Sequence, residues 1–394
     1  MKRNAKRKNK IVAVWVFLLL ASCVPQSHVS PSPVAASPSP SLTLPPGTAT
    51  ATITATPAPT PTMTFADAIR PYTIQGLRAR KYPAGQIEVV GALDQTHDYT
   101  RYLIRYPSDD LTITGIMQIP AQGQPPYPVI VMSHGFFPRT EYVAGDGTDR
   151  AAEFLNKNGY MTLAPDYRSW GQSDTGPSLF YSGLAIDVVN LLAAISSLPE
   201  ADASRVGMWG HSMGGGVTMK ALAITGGRAV PSNGGEGIET IIRAAVLYST
   251  VSADQADVLA RWGLGCFGNI IEGEGRSDCN SSDVIPLSLP GELLDAYYVA
   301  ASDPETLSAV SPIDHLDLVT APVQIHYGTR DGEETSGTPP EWSKKLYQAF
   351  LDAGKPAKLF GYEGQRHSFS GDAWYRFMEE AVRFFDENVK NASG

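Results

Sequence analysis

From Leu111 to Ile119 the chain sets Leu111, Ile113, Met117 and Ile119 against Thr112, Thr114 and Gln118. A period of two marks an antiparallel strand with one wet face. Two further extended segments, Ile87–Leu93 and Thr100–Tyr106, precede it. Short apolar runs then follow at Val129–Met132, Tyr160–Ala164, Val206–Trp209, Ala244–Tyr248, Val323–Tyr327 and Lys358–Tyr362. Their near-continuous hydrophobicity predicts strands buried on both faces. Helical patterns are predicted between and after these runs, over 149–158, 180–197, 213–225, 341–353 and 372–390. The last places Trp374, Phe377, Met378, Ala381, Phe384 and Phe385 on one stripe. This alternation predicts an α/β fold with a mostly parallel central sheet and helices on both faces.

Residues 251–312 break the alternation. They carry Trp262, Cys266, Cys279 and a helical pattern over 291–300. An insertion between the strands near 247 and 325, taken as the sixth and seventh core strands, would lie over the carboxyl edge of the sheet as a cap. The body containing these elements is expected to span 65–394.

Residues 24–64 hold no Asp, Glu, Lys or Arg and are dominated by Pro, Ser, Thr and Ala. Such a stretch cannot offset its ordering entropy by burial, and reads as a disordered tether. At about 3.1 Å per residue it would reach on the order of 100 Å. Before it, six cations in the first ten residues lead into the apolar run Ile11–Ala21. That run is shorter than the ~20 residues a spanning helix needs and fits a secretory signal. It ends in Leu20-Ala21-Ser22-Cys23, which resembles the bacterial lipoprotein lipobox. The resemblance implies cleavage after Ser22, acylation of Cys23, and a lipid-anchored protein of the bacterial cell envelope, outside the cytoplasm. Cys266 and Cys279 would be the remaining cysteines, and in that compartment they form a candidate disulfide.

The net charge is −9 despite the basic N-terminus. An acidic body is a poor match for a phosphate backbone, which sets nucleic acid aside. The cysteines lack metal-site spacing. Oligomeric state does not follow from the sequence.

Candidate chemistry centres on Gly210-His211-Ser212-Met213-Gly214. A buried strand enters this G-x-S-x-G element and a helix leaves it, the context in which a sharp turn projects a serine as nucleophile. A serine hydroxyl needs a base. Among the seven histidines, His367 lies in the loop between the last strand and the last helix, so it returns to the carboxyl edge of the sheet. His28 falls in the tether, His97 and His315 lie in loops, His326 lies in a strand, and His211 is read as turned away from Ser212. The imidazole needs a carboxylate. Asp331 ends the strand Val323–Tyr327 within Gly328-Thr329-Arg330-Asp331, with Glu333, Glu334 and Asp317 as rivals. The chain order Ser, Asp, His is that of strand-edge triads. Oxyanion donors are expected from the Met213 N–H and from the loop Ser133-His134-Gly135-Phe136-Phe137, with Phe136 chosen over Phe137 and His134 as a loop anchor.

These residues, with Ala164-Pro165-Asp166-Tyr167-Arg168, Gly171-Gln172-Ser173 and Ser311-Pro312-Ile313, resemble α/β-hydrolases of the prolyl oligopeptidase and dienelactone hydrolase type over roughly 110–390. The resemblance implies Ser212 as nucleophile, Asp331 as acid, His367 as base, and no metal or organic cofactor. The stretch between the tether, ending at 64, and the first of these motifs near 110 is expected to be too short for the β-propeller of full-length prolyl oligopeptidases. The expected activity is hydrolysis of a small or polymer-linked carboxylic ester. The alternative is an exopeptidase or amidase in which Glu333-Glu334 or acidic cap residues hold the substrate amine. Trp170, Phe136 and Phe137 are expected to shape the acyl pocket.

Overall fold

A computed structural model describes residues 64–83, 85–226, 241–267, 279–285 and 291–392. The signal segment, Cys23 and the tether lie outside the described residues. Two short helices open the body, α1 (Phe65–Ile69) and α2 (Ile74–Ala79). Each is N-capped by a threonine: Thr64 accepts from the Asp67 N–H at 3.2 Å and Thr73 from the Gly76 N–H at 3.0 Å.

The strands β1 (Glu88–Gln95), β2 (Tyr99–Ser108) and β3 (Leu111–Pro120) form an antiparallel meander. They are followed by β4 (Tyr127–Ser133), α3 (Asp149–Lys157), β5 (Met161–Pro165), α4 (Ser182–Ala194), β6 (Ala201–His211), α5 (Met213–Thr225) and β7 (Ile242–Tyr248). Next come α6 (Gln255–Trp262), β8 (Gly265–Phe267), β9 (Asn280–Ile285), α7 (Gly291–Ala300) and α8 (Pro304–Val310). The chain then runs through β10 (Val323–Gly328), α9 (Pro340–Asp352), β11 (Ala357–Tyr362) and α10 (Gly371–Phe385).

Nine strands form one sheet in the order β1-β2-β3-β5-β4-β6-β7-β10-β11. Every pairing from β5 to β11 is parallel. One face packs on α3 and α10, the other on α2, α4, α5 and α9. The apolar stripe of α10 is buried as its spacing requires, with Phe377 and Phe385 fully enclosed. Among the described residues no helix is long and apolar enough to cross a membrane.

The insertion leaves from β7 and returns to β10. These are the strands near 247 and 325 between which the insertion is expected, the seventh and eighth sheet strands in chain order when the antiparallel meander is counted. Within it, β8 and β9 pair in a separate two-stranded sheet, and Cys266 is bonded to Cys279. In the chain-entropy model a loop of this size contributes about 3 kcal/mol. The helical pattern over 291–300 is α7, whereas α6, α8 and the two strands were not singled out from the sequence.

The helix expected from residue 180 starts at Ser182. Phe180 and Tyr181 instead take left-handed backbone, with φ of 53° and 60°. Their conformation is set by the insertion. The Asp283 carboxylate on β9 accepts the N–H groups of Phe180 and Tyr181, both at 2.8 Å. The Lys220 ammonium on α5 donates to the Phe180 carbonyl. Both side chains are buried, and burial pushes the carboxyl up and the amine down, against their mutual attraction.

Removing one member strands the other in a dry site. Asp283→Ala is expected to lower unfolding stability by about 3–5 kcal/mol in urea titration. A loss under about 1 kcal/mol would show that Asp283 does not fix the insertion to the body.

Candidate active site

Ser212 sits between the end of β6 and the start of α5, with φ 54° and ψ −122°. A non-glycine residue persists there only when its surroundings hold it. Its N–H donates to the Tyr248 carbonyl at 3.0 Å, and its carbonyl accepts from Gly215 and Val251 at 2.9 and 3.1 Å. The neighbouring glycines provide clearance. A Cβ on Gly214 would lie 2.0 Å from the Ser133 carbonyl oxygen, and one on Gly210 would lie 2.4 Å from the Gly214 oxygen. The first turn of α5 therefore runs directly beneath the end of β4.

His367 is half-buried in the loop between β11 and α10. Its Nδ1 lies 3.1 Å from each carboxylate oxygen of Asp331. The buried Asp331 also accepts the N–H groups of Gly332 and Thr338 at 2.8 and 2.9 Å, and its Oδ2 is 2.7 Å from the Thr338 hydroxyl. Burial alone would raise the Asp331 carboxyl. Hydrogen bonds from His367 and Thr338, with the attraction of the imidazole cation, outweigh it and hold the group below the usual carboxylate range. Thr338 was not singled out from the sequence.

The loops are lashed together at the sheet edge. Ser249 N–H donates to the His326 carbonyl at 2.8 Å, and Arg330 N–H to the Gln365 carbonyl at 2.9 Å. His211 turns its ring toward the His367 loop, not simply away from the elbow. It stacks on Tyr248 with centroids 4.4 Å apart, and its Nε2 is 3.2 Å from the His367 carbonyl. Burial, and secondarily the nearby His367, lowers its pKa to about 3, so the ring is neutral and donates that bond. His134 and His326 are buried, which lowers them to about 4 and about 3. His134 lies between the Gly135 and Asp166 carbonyls. His326 contacts Tyr362 and Gln324 and stacks on Phe360.

Ser212, His367, Met213, Phe136 and Phe137 line one cavity of about 850 Å³, with Asp331 behind His367. Met213 opens α5, so its N–H has no acceptor within the helix. Among the described residues the Phe136 N–H makes no hydrogen bond. Trp170 does not line the cavity. It is buried behind the loop, donating from Nε1 to the Phe137 carbonyl at 2.9 Å, with the Arg139 guanidinium 4.0 Å over its ring. The Asp-Tyr-Arg motif is likewise internal. Asp166 accepts from Thr114 and Tyr142 at 2.6 and 2.8 Å, and Arg168 pairs with Asp187 at 2.8 Å.

The insertion closes the cavity with Arg261, Trp262, Cys279, Asn280, Ser281 and Ser282. Among the described residues it contributes no carboxylate to the lining. Glu333 and Glu334 are exposed and paired with Arg330 and Arg366. Neither takes the amine-holding place considered for them.

Residues 130–381, more than half of the chain, match the model of the alpha/beta hydrolase family. The chain belongs to that family. Over 91 residues this hydrolase is 34% identical to the lysophosphatidylserine lipase ABHD12 of Xenopus tropicalis, a stretch covering 23% of the chain and 22% of that relative. The chain thus spans about a fifth of that relative's length. Among solved structures it is similar to the acetyl xylan esterase from Paenibacillus sp. R4, with a TM-score of 0.52 and 17% identity, covering 80% of this chain and 92% of that one. It is also similar to the Pyrococcus horikoshii acylaminoacyl peptidase, with a TM-score of 0.51 and 18% identity, covering 76% of this chain and 43% of that one. At these identities the likeness is one of fold.

The depressed pKa of Asp331 fixes the sign of its pH dependence. Its contribution to stability is present above the ordinary carboxylate pKa of about 4 and is lost as pH falls through the lower folded value. In urea titrations the stability gap between wild type and Asp331→Asn should therefore narrow from pH 6 toward pH 3. A gap that widens on acidification would contradict the assigned environment.

Proposed function

We propose that this alpha/beta hydrolase is a serine esterase that cleaves carboxylic esters through an acyl-enzyme on Ser212. The observation that carries the reading is a serine in left-handed backbone sharing one cavity with a histidine whose Nδ1 is held by a buried carboxylate. His367 takes the proton from the Ser212 hydroxyl as its oxygen attacks the ester carbonyl. Asp331 fixes the imidazole tautomer and stabilises the cation formed. The Met213 and Phe136 N–H groups receive the tetrahedral oxyanion. Collapse expels the alcohol, which takes the proton back from His367. Water, deprotonated by the same imidazole, then attacks the acyl carbonyl, and the carboxylic acid leaves as the Ser212 oxygen takes that proton back from His367. The residues account for every proton moved, so the cycle calls for no metal or organic cofactor.

The substrate is a small or polymer-linked ester outside the cytoplasm. The Leu20-Ala21-Ser22-Cys23 segment supports attachment through an acylated Cys23. The exopeptidase alternative has less support, because among the described residues the cavity lining offers no carboxylate to a substrate amine.

Short aryl esters assayed beside aminoacyl and dipeptidyl anilides test the reading. Esters should turn over and anilides should not, and Ser212→Ala should lower ester turnover on the order of a million-fold. Asp331→Asn should lower it on the order of ten-thousand-fold. Comparable turnover of anilides, or ester turnover that survives Ser212→Ala, would overturn it.

A further inference from the structure

The charge in the cavity is unbalanced. Among the described residues, and apart from the histidines, its lining contains one ionisable side chain, Arg261, the penultimate residue of α6. Among the described residues no carboxylate lies within ion-pair distance of it. The acids nearest in sequence are engaged elsewhere: Asp254 and Asp257 both bind Lys345, at 2.7 and 2.9 Å. The Arg261 guanidinium is nevertheless held in place. Its Nη2 donates to the carbonyls of Glu334 at 2.9 Å and Gly332 at 3.3 Å, in the loop that also carries Asp331. Trp262 and Trp342 flank it, with ring centroids 5.7 and 5.8 Å from its central carbon. Its Nε is buried with no partner, and its Nη1 makes no hydrogen bond among the described residues.

A fixed, partly desolvated guanidinium with donors left over gains most from an anion, and an oxyanion is the group its geometry fits. In a chain of net charge −9, a cavity whose described lining carries a positive charge and no negative one is a local reversal. The backbone carbonyls position Arg261 but cannot neutralise it.

We propose that Arg261 is a specificity-determining residue that pairs with a second, non-reacting oxyanion on the substrate, a carboxylate or a phosphate. The substrates are then acidic esters, such as half-esters of dicarboxylic acids or acyl esters of a phosphorylated alcohol. This rests on the esterase reading and names its substrate class. The oxyanion sits at the Arg261 end of the cavity while the ester carbonyl lies against Ser212. The guanidinium takes no part in proton transfer.

Two matched pairs of esters separate the sources of the anion. Monophenyl adipate against phenyl hexanoate places a carboxylate on the acyl side. Butyryl glycerol phosphate against butyryl glycerol places a phosphate on the alcohol side. The readout is the ratio of kcat/KM for the anionic ester to that for its neutral partner. In at least one pair, Arg261→Gln should lower this ratio about tenfold or more. Arg261→Lys, which keeps the charge, should restore part of it, and high salt should depress the wild-type ratio. Ratios unchanged by Arg261→Gln in both pairs, or a parallel fall of both members, would overturn the proposal and leave Arg261 a structural strut.

A binding measurement keeps this test apart from the catalytic one. Adipate and glycerol phosphate are titrated against Ser212→Ala and Ser212→Ala/Arg261→Gln by tryptophan fluorescence, with Trp262 beside the site. Binding of either anion by the first and not by the second supports the anion subsite even if no ester is turned over. In that case the esterase reading alone fails. Equal binding by both variants, or by neither, overturns the subsite whatever the esters do.

Discussion

The structure around the site depends on one close approach: the first turn of α5 passes directly under the end of β4. Gly214 lies so near the Ser133 carbonyl that no side chain fits between them. That approach forces the chain to reverse within a single residue after β6, and Ser212 is the residue that takes the left-handed turn. The same reversal sets the Met213 N–H at the free end of a helix, where it has no internal acceptor. It also brings the elbow against the loop that follows β4, whose backbone supplies Phe136. The placing of the proposed nucleophile and oxyanion donors is thus a consequence of one packing constraint.

Parallel pairing does the rest. The register of β6, β7, β10 and β11 aligns their carboxyl ends, so the loops carrying Ser212, Asp331 and His367 emerge side by side. Hydrogen bonds between neighbouring loops fix them to one another more than to solvent. Electrostatics separates His367 from the other histidines of the sheet. Burial keeps His134, His211 and His326 neutral, as packing elements. Of these four, His367 is the one whose ring meets a carboxylate, that of Asp331, which also accepts from Thr338 and Gly332. The insertion then decides what reaches this centre. Among the described residues it adds a cation, one indole and a row of small polar groups to the lining.

Legibility in the sequence tracks how local each cause is. Ser212 announces itself through flanking glycines and the strand–turn–helix context. Asp331 and His367 follow from their places after apolar runs, because strand ends in a parallel sheet converge. The sheet was legible for the same reason. Thr338 was not, since its role arises only when the loop after Asp331 folds back on that residue. Phe180 and Tyr181 read as helical, and only a carboxylate a hundred residues away pulls them out of the helix. Of the paired strands, β8 is three residues long and β9 opens on four polar residues, so neither carries an apolar run. By contrast, α1 and α2 did carry a signal, threonine caps ahead of short apolar turns. Trp170 was expected in the pocket on the strength of its aromatic ring. It supports the loop from behind, a distinction that depends on side-chain direction.

The central claim is that Ser212 is an activated nucleophile. Its most direct test is covalent labelling of the native protein with a fluorophosphonate, followed by intact-mass measurement and peptide mapping. The account predicts one adduct per chain, carried by the peptide containing Ser212, and strong suppression of labelling in His367→Ala. Failure to label, or an adduct on any other residue, would contradict it.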